Sequence, residues 1–217
     1  MSSTASSHAE LMNRIYRRQR YIYDATRKYF LFGRDRLIAE LAPAAGQRVL
    51  EVGCGTGRNL IKAAKRYPEA HFYGLDISTE MLESAQANID RAGLGDRITL
   101  RQGDATNFDP QVLCGVPDFQ RIFFSYSLSM IPPWQEAVDQ ALRVLSPDGR
   151  LRVLDFGQLT AMPPLARGVL FRWLGLFHVK AQPALADRIS EIAARHDKAP
   201  VEHRSLYRDY CWMISVG

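Results

Sequence analysis

What this chain lacks closes several possibilities. It has only three cysteines in 217 residues, Cys54, Cys114 and Cys211, odd in number and far apart. They suit neither a disulfide framework nor a zinc site, and they fit a reducing cytoplasm. No apolar run approaches the roughly 20 residues that span a bilayer. Met1 to Ser7 is polar and holds no apolar signal core, so export is not expected. Internal repeats and low-complexity segments are absent. Gly and Pro are missing from residue 9 to residue 32, which predicts helix there, broken at most once. Acidic residues are scarce between residues 14 and 36, where eight Arg and Lys face only Asp24 and Asp35. That local surplus of six exceeds the +5 net charge of the whole chain. A basic stretch of this kind is either a solvated helix face or a surface for an anionic partner, nucleic acid or membrane.

What is present describes one soluble globular domain: 47% hydrophobic and 24% charged residues in a length ample for a full core. The informative stretch is Arg48-Val49-Leu50-Glu51-Val52-Gly53-Cys54-Gly55-Thr56-Gly57. A short apolar strand runs into three alternating glycines, and a helix opens near Asn59. Such glycines let a ligand approach the backbone without meeting a Cβ, and the helix points its free N–H groups at it. A second strand ends in Asp76, placed to hold both hydroxyls of a ribose. A third is followed by Gly103-Asp104-Ala105-Thr106, a second carboxylate at the same sheet edge, suited to an adenine amino group. Ser78 is an expected helix N-cap, with Met81 one turn in. The fourth strand, Phe119 to Phe124, leads into Ser125-Tyr126-Ser127 at the edge where ligands of open α/β sheets bind. Ser146-Pro147-Asp148-Gly149 reads as a turn before a fifth strand, Leu151 to Phe156.

The series EVGCGTGRN, GLDIS, QGDAT and LSPDGRLRVLDFG, over residues 46 to 157, resembles the motif set of the class I S-adenosylmethionine-dependent methyltransferases. Its Gly-x-Gly-x-Gly spacing favours that cofactor over NAD. The resemblance implies an α/β, Rossmann-like fold with a mostly parallel seven-stranded sheet and helices on both faces. It implies S-adenosylmethionine as cofactor and no metal. The residues it would place on the cofactor are Tyr23, Tyr29, Arg34, Glu51, Gly53, Gly55, Gly57, Asn59, Asp76, Ile77, Met81, Asp104, Ala105, Thr106 and Ser125. Met81 would cover the adenine, unless it is simply core. Ser125 would lie near the methionine part, and Tyr126 would face the methyl group.

Two flanks carry a narrower resemblance. The run from Tyr16 to Phe30, ending in Gly33-Arg34-Asp35, is similar to the bacterial betaine-lipid N-methyltransferases, and so is Trp173-Leu174 with Phe177-His178-Val179. Those enzymes methylate diacylglyceryl-homoserine three times to its trimethylhomoserine form. This implies a lid of N-terminal helices over residues 9–45, behind a disordered tail at 1–8. A cofactor core at 46–157, a substrate- or membrane-facing insertion at 158–198 and final strands at 199–217 complete the expected domain. Tyr23 and Tyr29 would cage the methylated ammonium or pack as core, and His178 would be a base or a polar cap. The expected partners are the homoserine lipid and an anionic membrane, without nucleic acid, for a cytoplasmic chain at the inner face of the membrane. Phosphatidylethanolamine, a quinone or other small molecule, and a non-catalytic cofactor-binding module that docks on RNA or another partner are the alternatives.

Overall fold

The computed structural model describes residues 31–161, 168, 172, 182–198 and 200–217. The chain enters through α1 (Arg34–Leu41), which starts at Gly33 in a left-handed conformation. β1 (Arg48–Val52) follows, buried at four of its five positions, three apolar and the fourth Glu51. Then come α2 (Arg58–Arg66), β2 (His71–Asp76), α3 (Thr79–Ala92) and β3 (Ile98–Gln102). Ser78 caps α3, its hydroxyl accepting from Met81 N at 3.3 Å, and Gly93 ends it in a left-handed turn. α4 (Pro110–Cys114), β4 (Phe119–Ser125) and α5 (Trp134–Arg143) lead to β5 (Leu145–Phe156). The chain closes with α6 (Leu185–Arg195), β6 (Val201–Leu206) and β7 (Cys211–Val216).

The seven strands form one sheet in the order β3-β2-β1-β4-β5-β7-β6. β1 to β5 pair in parallel, while β7 runs antiparallel to β5 and β6 antiparallel to β7. This is the mostly parallel α/β architecture expected from the motifs. Successive central residues feed opposite cores. Val49, Phe123 and Leu154 pack on the side of α1 and α2, whereas Leu50, Phe124 and Val153 pack on the side of α5 and α6. Parallel strands covered on both faces read as continuous apolar runs for this reason. Each fully buried phenylalanine contributes about 1.5–3 kcal/mol. On the α1 side, Glu40 takes Arg36 at 2.9 Å, Arg152 at 3.2 Å and Arg204, tying the helix to β5 and β6.

The strands at the sheet margins are polar. β3 ends in exposed Arg101 and Gln102, and β6 shows exposed Glu202, His203 and Ser205. The turn from β6 to β7 holds three consecutive left-handed residues with side chains, Tyr207, Arg208 and Asp209, at φ 53°, 58° and 65°. Asp209 braces it. Its carboxylate accepts from Trp212 Nε1 at 2.5 Å, Ser205 Oγ at 2.8 Å, and Thr160 N and Oγ1 at 3.1 and 2.7 Å. Partial burial pushes the Asp209 carboxyl up, but these donors outweigh it and hold it down to about 2.

β5 begins earlier than the turn signal at 146–149 suggests. Leu145 already pairs with Phe119, and regular pairing resumes at Arg150 opposite Arg121, so Ser146–Gly149 bulges out within the strand. The sequence also gave no warning of α4, which is too short to show a period. Pro110 at its first position and Asp109, accepting from Gln111 N and Val112 N, define it instead. Of the helix expected over 9–32, Leu31 and Phe32 are described and not helical, while the rest, and residues 173–180 of the insertion, lie outside the described residues.

Candidate active site

The strand order reverses between β1 and β4, and ligands of open α/β sheets bind beyond the carboxyl ends of the strands at that point. Here Gly53, Gly55 and Gly57 all take positive φ, at 73°, 53° and 74°. Gly53 has a second constraint. A Cβ on it would stand 2.5 Å from Ser127 Cβ. Ser127 is drawn there because its hydroxyl donates to Val52 O at 2.8 Å, clasping the β4 loop onto the end of β1. Sequence reading gave Ser127 no role.

Asp76, at the tip of β2, accepts from Gly55 N at 2.8 Å and Ser78 N at 3.0 Å. Its carboxylate is thereby fixed over the glycine turn. Asp104 accepts from Thr106 N at 2.9 Å and Thr106 Oγ1 at 2.8 Å, both through Oδ1. Ile77, Ala105 and Thr106 are half-buried along the same edge, and Met81 is buried at the start of α3.

A cavity of about 550 Å³ opens on the α1 side of this edge. Among the residues named from the sequence, Arg34, Glu51, Gly53, Asn59 and Ser125 line it. Asp76, Met81 and Asp104–Thr106 stand on the neighbouring part of the strand edge and do not line it. Glu51 is 1% exposed and accepts from Asn59 Nδ2 at 2.7 Å. Asn59 Oδ1 and Ser125 Oγ are buried with no hydrogen-bond partner among the described residues. Such atoms are costly unless a ligand meets them. Cys54 also lines the cavity, its thiol pushed well up by burial and by the nearby Asp76 and Glu51 carboxylates.

Tyr126 is placed differently from the expectation. Its backbone is left-handed at φ 57°, and its ring is 2% exposed. The hydroxyl donates to Phe32 O at 2.6 Å, and the ring packs 4.6 Å from Phe156 with the Arg34 guanidinium 5.9 Å above it. Burial raises the phenol well above its usual range. Tyr126 therefore acts as a tie between β4 and the entry to α1, not as a group facing a methyl. Local spacing places a residue on a loop but not the direction its side chain takes. Tyr23, Tyr29 and His178 lie outside the described residues. Among the described residues no group of His, Cys, Asp and Glu is arranged to hold a metal. Also among them, no helix is long and apolar enough to cross a membrane. One buried acid went unnoticed in the sequence. Asp155 at the end of β5 is pushed up to about 6 by burial, against hydrogen bonds from Phe156 N at 2.8 Å and Ser129 N at 3.2 Å.

Comparison with known proteins fits this geometry. The family model described as "Methyltransferase domain" matches residues 43–192, more than half of the 217-residue chain. The ubiquinone/menaquinone biosynthesis C-methyltransferase UbiE of Cereibacter sphaeroides is 34% identical over 130 residues, covering 58% of this chain and 49% of the relative. The chain thus spans about half the length of the curated relatives it first matches. The demethylmenaquinone methyltransferase of Clavibacter sepedonicus is 30% identical over 182 residues, covering 81% of this chain and 67% of the relative. Among solved structures, the magnesium protoporphyrin IX methyltransferase of Synechocystis PCC 6803 superposes with a TM-score of 0.67 at 18% identity, over 96% of this chain and 98% of that one. The chain belongs to the methyltransferase domain family and has the class I methyltransferase fold.

Proposed function

We propose that the chain transfers a methyl group from S-adenosylmethionine to a small amphipathic acceptor of the quinone-precursor class. The observation that carries the cofactor half is the pair of buried atoms without a partner among the described residues, Asn59 Oδ1 and Ser125 Oγ, beside Gly53, where a Cβ would meet Ser127. The residues fit the cofactor. Asp76 and Asp104 supply acceptors for the ribose and adenine, and the cavity presents Arg34 and Glu51, opposite charges suited to a carboxylate and an ammonium. When bound, the cofactor supplies a sulfonium-activated methyl group. Residues at the ends of β1 and β4 would hold that group and leave the acceptor a line of attack. Ser125 and Asn59 would orient the amino-acid end, and the Ser127 clasp keeps the β4 loop closed on β1. The proton that the acceptor gives up passes to water.

The acceptor class is supported by the quinone-biosynthesis names of the relatives, both C-methyltransferases or menaquinone enzymes by their printed descriptions. A second reading, stepwise N-methylation of a homoserine lipid, is favoured by the basic, tyrosine-rich run over residues 14–36. Either acceptor suits a cytoplasmic chain that meets the inner face of a membrane. Incubation of the chain with S-adenosylmethionine and, in parallel, demethylmenaquinol, diacylglyceryl-homoserine and phosphatidylethanolamine tests this by mass spectrometry. One methyl gained on the quinol ring carbon is the expected result. Methyls gained on a lipid nitrogen, with the quinol untouched, would replace it with the second reading.

A further inference from the structure

The cavity does not end at the cofactor residues. It continues along the outer face of α2 and across to α3, where Arg58, Lys62, Lys65, Asn88 and Arg91 line it. Arg58, Lys62 and Lys65 lie at positions i, i+4 and i+7 of α2, and so share one face. Arg91 approaches from the last turn of α3. Glu51 is the one acid among the lining residues and already accepts from Asn59. Asp35 pairs with Lys62 at 2.5 Å. Arg58, Lys65 and Arg91 have no ion pair within the described structure.

Helix dipoles explain part of this arrangement. Lys65 and Arg91 stand in last turns, where cations are favoured. Arg58 does not fit that account. It opens α2, which has no acid in its first turn and no side-chain cap, and a cation there is disfavoured by about 0.3–1 kcal/mol. Gathering like charges around one groove adds to the cost. The carboxylate of the cofactor would answer Arg34 at the inner end. It leaves Arg58, Lys65 and Arg91 without a counter-ion among the described residues.

We infer that the α2–α3 groove is a subsite for an anionic group, a carboxylate or phosphate, carried by the methyl acceptor. The inference rests on the methyltransferase reading, because it takes the groove as continuous with the methyl-transfer edge. It also bears on the acceptor. A quinone precursor with an acidic substituent, or a homoserine lipid, brings such an anion into the groove.

The test uses the full chain and isothermal titration with dodecyl phosphate, dodecanoate and uncharged dodecanol, each below its micelle concentration. The two anions are expected to bind about tenfold more tightly than dodecanol, the equivalent of two weak ion pairs. The variant Lys65→Gln/Arg91→Gln should lose that advantage, and Lys65→Arg/Arg91→Lys should keep it. Equal binding of anion and alcohol, or full anion affinity in the Gln variant, would overturn the subsite. Inorganic phosphate distinguishes the source. Binding as tight as that of dodecyl phosphate supports a small anionic acceptor, and much weaker binding supports a lipid headgroup. S-adenosylmethionine is titrated into the same samples. Its failure to bind the unaltered chain would sink the methyltransferase reading, while anion binding would still stand on its own.

Discussion

Two turns in this molecule each bend through three left-handed residues, and they do so in opposite ways. The turn after β1 uses Gly53, Gly55 and Gly57, and the turn between β6 and β7 uses Tyr207, Arg208 and Asp209. A left-handed conformation costs about 1–2 kcal/mol for a residue with a Cβ and almost nothing for glycine. The β6–β7 turn offsets that cost internally, because Asp209 gathers hydrogen bonds from Trp212, Ser205 and Thr160. The glycine turn carries no such strain and needs little bracing: Asp76 accepts from Gly55 N at 2.8 Å. It sits beside Asn59 Oδ1 and Ser125 Oγ, which have no hydrogen-bond partner among the described residues. A strained turn with its polar groups satisfied is architecture. A relaxed turn bordered by unsatisfied ones is a place for a ligand.

The contrast breaks most visibly at Gly53. In Gly53→Ala the new Cβ meets Ser127 Cβ at 2.5 Å, and the clasp on Val52 opens. Cofactor affinity measured by calorimetry should fall by about 100-fold or more, close to 3 kcal/mol. Gly46→Ala is the control: φ is also 74° there, but nothing lies within 4 Å. It should cost only about 1 kcal/mol of stability and leave the cofactor alone. Similar losses in both variants would mean that left-handedness alone, and not the Ser127 contact, sets the requirement.

A smaller effect is expected at the other turn. Asp209→Ala should lower unfolding stability by about 2 kcal/mol in urea melts while cofactor affinity holds. Because the folded carboxyl is held down to about 2, its contribution is present above the ordinary Asp range and is lost as pH falls toward 2. The variant and the parent should therefore converge in stability under strong acid. A persistent gap at that pH would show that the charge of Asp209 is not what secures the turn.

The smallest change sharpens the distinction most. Ser125→Ala removes a buried hydroxyl that has no partner among the described residues, so the ligand-free chain should melt unchanged or slightly higher. Its affinity for S-adenosylmethionine should fall about fivefold, as for one lost hydrogen bond. A loss of ligand-free stability would assign Ser125 to the architecture instead.

The cofactor edge was largely legible because its signals are local. Glycines at alternate positions, Asp76 at a strand tip and the Ser78 cap each declare themselves within a few residues, and the structure puts each at that edge. Contacts made across the fold were not legible. Ser127 reaches Val52 over 75 positions, and Tyr126 reaches Phe32 over 94. Nothing beside Ser127 in the chain announces the first, and the second turned a candidate for the methyl group into an internal tie. The groove cations escaped for a related reason. Along α2 they look like an ordinary solvated face, and only the approach of α3 shows Arg91 beside them.

The polar margins of the sheet have a consequence for how the protein behaves in a crowded solution. Any open sheet offers unpaired backbone groups along its first and last strands, and two copies can zip together there. Arg101 and Gln102 on one margin, and Glu202 and His203 on the other, place charge and bulk where such a junction would begin. The chain is thereby spared from adding its own strands into a growing aggregate.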